Sequence, residues 1–160
     1  MFTWLADRWA AAVLRRSGDL MARARAEAVL LRHEYVGTEH FLLALCVLTD
    51  RPAWRALAAC GVDQERLRSA AVAIVLPGPS PVGIVFGPLL ITPAASRALR
   101  RATDLAQQLG HSKVQPEHIL LAFLGERETV PFQIMAGLGV DPRELTRAVV
   151  REASWPETTE

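Results

Sequence analysis

Residues 36–45, VGTEHFLLAL, return 78 positions later as VQPEHILLAF at 114–123. Extending the same shift outward lays residues 20–72 on 98–150 without a gap, and 18 of the 53 pairs are identical, against roughly 4 expected from composition alone. The matches fall where a fold would need them. His33 meets His111, Val36 meets Val114, Glu39-His40 meets Glu117-His118, and Gly61-Val62-Asp63 meets Gly139-Val140-Asp141. The chain is a tandem duplication of a helical unit. A unit of about 50 residues buries too little apolar surface to be secure alone, so the halves are expected to share one core about a pseudo-twofold axis. Glu39 should then superpose on Glu117 and Gly61 on Gly139. Leu43 and Leu121 should be buried at equivalent positions on the apolar face that follows the Glu-His pair.

Around that repeat, the punctuation of the chain is helical. Alanine and leucine supply 25 and 22 of the 160 residues, a composition that favours helix. Thr3 can cap a first segment, Trp4 to about Arg16, which Ser17-Gly18 interrupts. Asp19 can cap a helix to about Leu31. His33 to Gly37 reads as a loop, and Thr38 as the cap of a helix carrying Phe41, Leu42, Leu45 and Leu48. Asp50-Arg51-Pro52 opens the next helix, which Gly61 ends, and Asp63 caps another on which Leu67, Ala70, Ala71 and Ile74 keep helical spacing. Residues 76–91, with four prolines and three glycines, exclude a regular helix. They are read as an extended connector packed on the domain, the one place where strand is expected. Thr92-Pro93 then opens a helix that stops at Gly110.

Composition narrows the function classes. Eighteen basic against 17 acidic residues leave a net charge of +1, which gives no electrostatic case for nucleic acid. Cys46 and Cys60 have neither metal-ligand spacing nor the density of a disulfide scaffold, so a reducing compartment is expected. No apolar run reaches membrane-spanning length, and the first 16 residues lack a secretion-signal pattern. The expected location is the cytoplasm. No GxxxxGK[ST] loop, GxSxG elbow or HExxH motif occurs, so neither a nucleotide, a metal nor another cofactor is expected, and the chain is read as a non-enzyme. The four histidines, 33, 40, 111 and 118, are read as buried and hydrogen-bonded to neighbouring loops.

The order EYVGTEHFLLAL, GVD, a TP-led helix, LGH, EHILLAFL and GVD again resembles the Clp N-terminal domain, the paired-repeat module at the front of Clp/Hsp100 unfoldases, with the ClpC type most similar. The resemblance covers residues 13–152. It implies an all-α, eight-helix pseudo-twofold domain of two four-helix Clp-N repeats joined by a Pro/Gly-rich connector. Its parts would be an N-terminal extension (1–12), repeat 1 (13–75), connector (76–91), repeat 2 (92–152) and a tail (153–160). The family binds adaptor and substrate proteins for the ATPase ring behind it, and ClpC-type members dock phosphoarginine-tagged proteins. The expected function is therefore a protein- or peptide-binding module of Clp-type proteolysis, acting as adaptor, competitor or decoy, and monomeric. Its partners would be substrate or adaptor proteins, Clp components or a small molecule that targets the Clp N-domain, with no membrane or nucleic acid among them. The alternatives are a regulatory subunit docking on the Clp ring and an excised N-domain of a ClpC-type ATPase. The terminus SWPETTE reads as that of a free-standing protein.

By that resemblance Glu39 and Glu117 are candidate ligand residues, because a carboxylate accepts two parallel hydrogen bonds from a guanidinium. Arg16 and Thr92 are candidate phosphate contacts. Each half lacks part of the set. Leu14 stands where the family has its helix-opening threonine, Ala94 where it has a basic residue, and Gln115-Pro116 where it has Gly-Thr. Phe2, Trp4 and Trp9, outside the repeat, are read as an added helix or a partner surface, since tryptophan favours interface hot spots.

Overall fold

The computed structural model describes residues 20–78 and 89–155. Among them run eight helices and two short strands: α1 (Leu20–Leu30), β1 (Tyr35–Val36), α2 (Thr38–Cys46), α3 (Pro52–Ala59), α4 (Gln64–Val75), β2 (Leu90–Ile91), α5 (Pro93–Gln108), α6 (Pro116–Leu124), α7 (Val130–Gly137) and α8 (Pro142–Glu152). The segment expected between Trp4 and Arg16 and the Asp19 cap lie outside the described residues, as do Phe2, Trp4, Trp9 and Arg16. None of the described helices is long and apolar enough to cross a membrane.

The 78-residue shift is visible in the backbone. It carries α2 onto α6 and α3 onto α7 residue for residue, and α4 onto α8 within one residue at the end. Left-handed backbone also comes in pairs: Gly61 with Gly139, Arg32 with Gly110, and Leu76 with Ser154. Arg32 (φ 59°) holds without glycine the turn that Gly110 (φ 72°) makes in the second repeat. In both copies the next residue, His33 or His111, donates its N–H back to Ala28 or Ala106, which closes the helix end.

Each repeat contributes one helix that is apolar nearly all round, and these two form the centre. All nine residues of α2 are buried, as are seven of the nine in α6. A helix without a polar face has to be covered on every side. α1 covers α2 as α5 covers α6, while α2 also meets α7 and α6 meets α3, so each central helix is enclosed partly by the other repeat. Phe41, Leu42, Leu43, Leu45, Phe123, Ile119 and Leu120 are the central helices' share of the largest buried side chains. Not every equivalent position is filled alike. Glu27 on α1 is held by a two-pronged pair with Arg68 on α4, at 2.7 and 2.9 Å, where the second repeat has Leu105 and Thr146.

Three expectations need correcting. Strand is not confined to 76–91: β2 pairs in parallel with β1 (Tyr35↔Leu90, Val36↔Ile91), and Thr92 N–H donates to Val36 C=O at 3.0 Å. Two residues are too short to show the alternation that marks a strand, and the partner is distant in sequence. Leu121 is only partly buried, whereas Leu43 is fully so, because α2 is covered all round and α6 is not. Thr38 is the first helical residue; Gly37 is the cap, and the Thr38 hydroxyl points to Glu39. By contrast Asp63, Thr92 and Asp141 do accept backbone N–H bonds at their helix starts.

Because the left-handed conformation costs a non-glycine residue roughly 1–2 kcal/mol, Arg32→Gly should raise stability by about 0.5–1 kcal/mol and Gly110→Arg should lower it by about 1–2 kcal/mol. Leu43→Ala should cost roughly 2–5 kcal/mol and Leu121→Ala distinctly less. Urea unfolding of the four variants, read as midpoint shifts at constant slope, measures all of these in one transition.

Candidate ligand-binding site

The Glu-His pair opens α2 and α6 inside the core, where every polar atom needs a partner. The histidines share the same two bonds in both repeats, and the first repeat adds a third. Gly37 N–H donates to His40 Nδ1 at 2.8 Å. A backbone N–H can only donate, so the ring proton of His40 lies on Nε2 and is given to His33 Nδ1 at 2.9 Å. His33 then carries its proton on Nε2 and donates to Leu76 C=O at 2.8 Å. In the second repeat Gln115 N–H donates to His118 Nδ1 at 2.9 Å, and His118 Nε2 reaches His111 Nδ1 at 2.8 Å. Tyr35 stacks on His33 and Trp155 stacks on His118. Trp155, which the sequence reading left in a tail, thus belongs to the second repeat's packing.

This wiring answers the metal question. His33, Glu39 and His40 bring ligand atoms within 4.8 Å of one another. All four imidazole nitrogens are engaged by hydrogen bonds, however, so neither ring has a free lone pair to coordinate. The histidines work as hydrogen-bond relays that tie the helix start to the loop before it and, in the first repeat, to Leu76. Burial pushes the pKa of His40 down to about 3 and that of His118 to about 4.

The two glutamates have diverged. Glu39 is 6% exposed and folds back over its own helix start. A Cβ at Gly37 would lie closer than 3.0 Å to the Glu39 carboxylate. Its contacts are the Thr38 hydroxyl at 3.5 Å and the His40 ring at 3.7 Å. Among the described residues no arginine or lysine pairs with it. Burial raises its pKa above the usual carboxylate range, opposed in part by its own backbone N–H, by His33 and by Thr38.

Glu117, by contrast, is fully buried and fully engaged. Its Oε1 accepts the N–H of Ala53 at 3.1 Å, and its Oε2 accepts from Arg51 Nη2 at the same distance. Arg51 also reaches Gln115 Oε1 at 3.5 Å. Glu117 therefore caps α3, a helix of the other repeat whose own cap residue, Arg51, supplies no side-chain bond. At the corresponding places facing Glu39, the second repeat has Thr129 for Arg51 and Pro131 for Ala53. Proline has no N–H to give, and Thr129 caps α7 locally by accepting from Phe132 N–H. Gln115, which has a Cβ where Gly37 has none, closes to Glu117 the folded-back position that Glu39 takes.

The sequence candidates are thus placed unequally. Thr92 is half-buried and caps α5 by accepting from Ala95 N–H at 3.2 Å; Ala94 beside it brings no charge. Arg51 was read only as part of a helix start, and neither it nor Ala53, Thr129 and Pro131 was read as part of the site, although the repeat register already set Arg51 against Thr129 and Ala53 against Pro131.

Two outcomes follow. Glu117→Gln should destabilise by roughly 1–3 kcal/mol, because the buried amide keeps one acceptor oxygen and sets an NH2 group against either the Arg51 guanidinium or the Ala53 N–H. Glu39→Gln should be neutral or slightly stabilising, and thermal unfolding of both variants separates the cases. With pKa values depressed on folding, His40 and His118 bind protons in the unfolded chain first. Stability is complete above about pH 6.5 and should fall as pH drops toward 4, by up to about 1.4 kcal/mol per pH unit for each histidine. Protonation of Glu39, whose pKa is raised, offsets part of that loss. Denaturant titrations of wild type and His118→Gln across this range give the slope.

Comparison with known proteins agrees with the geometry. The family model of the Clp repeat (R) N-terminal domain matches residues 15–138 and again 90–156. The chain is 31% identical over 137 residues to a probable ATP-dependent Clp protease ATP-binding subunit of Chlamydia pneumoniae, covering 86% of this chain and 16% of that protein. It is 32% identical over 143 residues to the negative regulator of genetic competence ClpC/MecB of Bacillus subtilis, covering 89% and 17%. The chain thus spans about one sixth of the length of these relatives. Among solved structures, the ClpD N-terminal domain of Arabidopsis thaliana aligns with TM-score 0.71 at 19% identity, covering 87% of this chain and 92% of that one. A ClpV N-domain in complex with a VipB peptide aligns with TM-score 0.71 at 17% identity, covering 96% and 94%. With both halves matched by one repeat family, and the fold shared with Clp N-domains, the chain belongs to the Clp repeat N-terminal domain family.

Proposed function

We propose that this chain is a non-catalytic peptide-binding module of Clp-type proteolysis, and that Glu39 receives the guanidinium of an arginine-bearing ligand, phosphoarginine in a tagged protein being the first candidate. The observation that carries this is the state of Glu39. It is a buried carboxylate without a cationic partner among the described residues, in a repeat whose twin pairs the same carboxylate with an arginine. A buried acid with a raised pKa gains most from a cation that arrives with its own hydrogen-bond donors, and a guanidinium supplies two in parallel. The ClpV N-domain solved with a VipB peptide supports peptide capture as a use of this fold.

Acting apart from an ATPase, such a module would work by mass action: whatever it holds is withheld from an unfoldase's own N-domain. As adaptor, it would instead present the ligand. Both roles require the same binding step. Charging Glu39 is part of that step, so affinity should fall as pH drops through its raised pKa.

Calorimetric titration of free phosphoarginine and of an arginine-containing peptide into wild type and Glu39→Gln tests the reading. Wild type should bind, and Glu39→Gln should lose at least tenfold in affinity, about 1.4 kcal/mol. Binding that survives Glu39→Gln unchanged, or no binding by wild type, would overturn it.

A further inference from the structure

The second repeat already contains a guanidinium on its glutamate. Glu117 is 0% exposed, while the Arg51 side chain that meets it is 36% exposed, so the carboxylate lies behind a partly exposed arginine. Arg51 comes from the other repeat, 66 residues away, and approaches with one prong only: Nη2 meets Glu117 Oε2, while the buried Nε finds no hydrogen-bond partner among the described residues. Glu117 Oε1 is spent on the Ala53 N–H that starts α3. Each oxygen of this fully buried carboxylate already accepts a bond, and as long as Arg51 stays a ligand guanidinium has no open approach to it.

We infer that Arg51 is the resident occupant of the second half-site: it holds in cis the place of a ligand guanidinium, closes Glu117 to arginine-bearing ligands, and leaves the module with one receptive half per chain. The inference rests on the reading of Glu39 as a guanidinium acceptor for its count of one, but the occupancy of Glu117 is a property of Arg51 alone. It also gives Arg51 a purpose its position as a helix cap does not. Thr129 at the equivalent site caps α7 with its own hydroxyl, whereas Arg51 makes no side-chain cap and reaches across the repeats instead.

Removing the Arg51 side chain opens a solvent-facing gap in front of a buried carboxylate. Arg51→Ala should lower the thermal midpoint by several degrees, and millimolar methylguanidinium should restore it in a saturable way. Wild type should not respond, nor should the double variant Arg51→Ala/Glu117→Gln, which keeps the gap and removes the charge. Arg51→Ser, with a hydroxyl able to cap α3 as Thr129 caps α7, carries the same test if the alanine variant does not fold. In calorimetry with free phosphoarginine, the Arg51 variant should gain one site that Glu117→Gln abolishes. The inference is overturned if neither variant responds to methylguanidinium, if the response persists without Glu117, or if wild type already binds through Glu117. Failure of Glu39→Gln to weaken wild-type binding, with the methylguanidinium response intact, would sink the Glu39 reading and leave this one standing.

Discussion

A helix that starts with a glutamate and a histidine and then runs through six further buried residues imposes the main constraint on this protein. The apolar run has to be enclosed on all sides, which one repeat cannot do, so the start of the helix is enclosed with it. Buried donors and acceptors at that start must then be satisfied within the protein. The histidine relay is the solution. It fixes two ring tautomers, closes the orphan N–H at the helix cap, and anchors the preceding loop in both repeats. The loops, the left-handed turns before them and the order of the covering helices all follow from this.

The glutamate, which the relay does not satisfy, is where the two copies part ways. In the first repeat, glycine at position 37 lets the carboxylate fold back, and Thr129 and Pro131 opposite offer it nothing. In the second repeat, Gln115 blocks that retreat, and Arg51 with the Ala53 N–H take both oxygens. Three small changes, each at a position legible in the repeat register, convert one copy into a bracket between halves and leave the other unmatched. Duplication thus separates two demands on one carboxylate, structural support and availability, and assigns each to a different half.

Most of the fold was legible because its signals are local. Gly61, Gly110 and Gly139 do mark helix ends, and Asp63, Thr92 and Asp141 do cap. What escaped was non-local. The Tyr35–Leu90 pairing joins two residues 55 positions apart, and no pattern within either pair announces it. Arg32 looked ordinary until its partner Gly110 exposed it as a left-handed turn. Trp155 sits past the last repeat match and is recruited only through His118. At the site, the repeat identified Glu39 and Glu117, and Gly37 against Gln115 already set them apart; what escaped was the share of the difference contributed by the opposite half, Arg51 and Ala53 against Thr129 and Pro131.

The trans cap on α3 also bears on how the protein is made. Ala53 and Glu117 are 64 residues apart, and the ribosome adds roughly 5–20 residues per second, so α3 waits about 3–13 s after its own synthesis for its cap to exist. The C-terminal half has no such delay at its matching helix, since Thr129 sits beside the turn it stabilises. Vectorial synthesis therefore meets a nascent N-terminal half whose third helix has a ragged start. Its α2, buried along its whole length in the finished fold, has only part of its cover at that stage. That interval ends when the second Glu-His pair emerges.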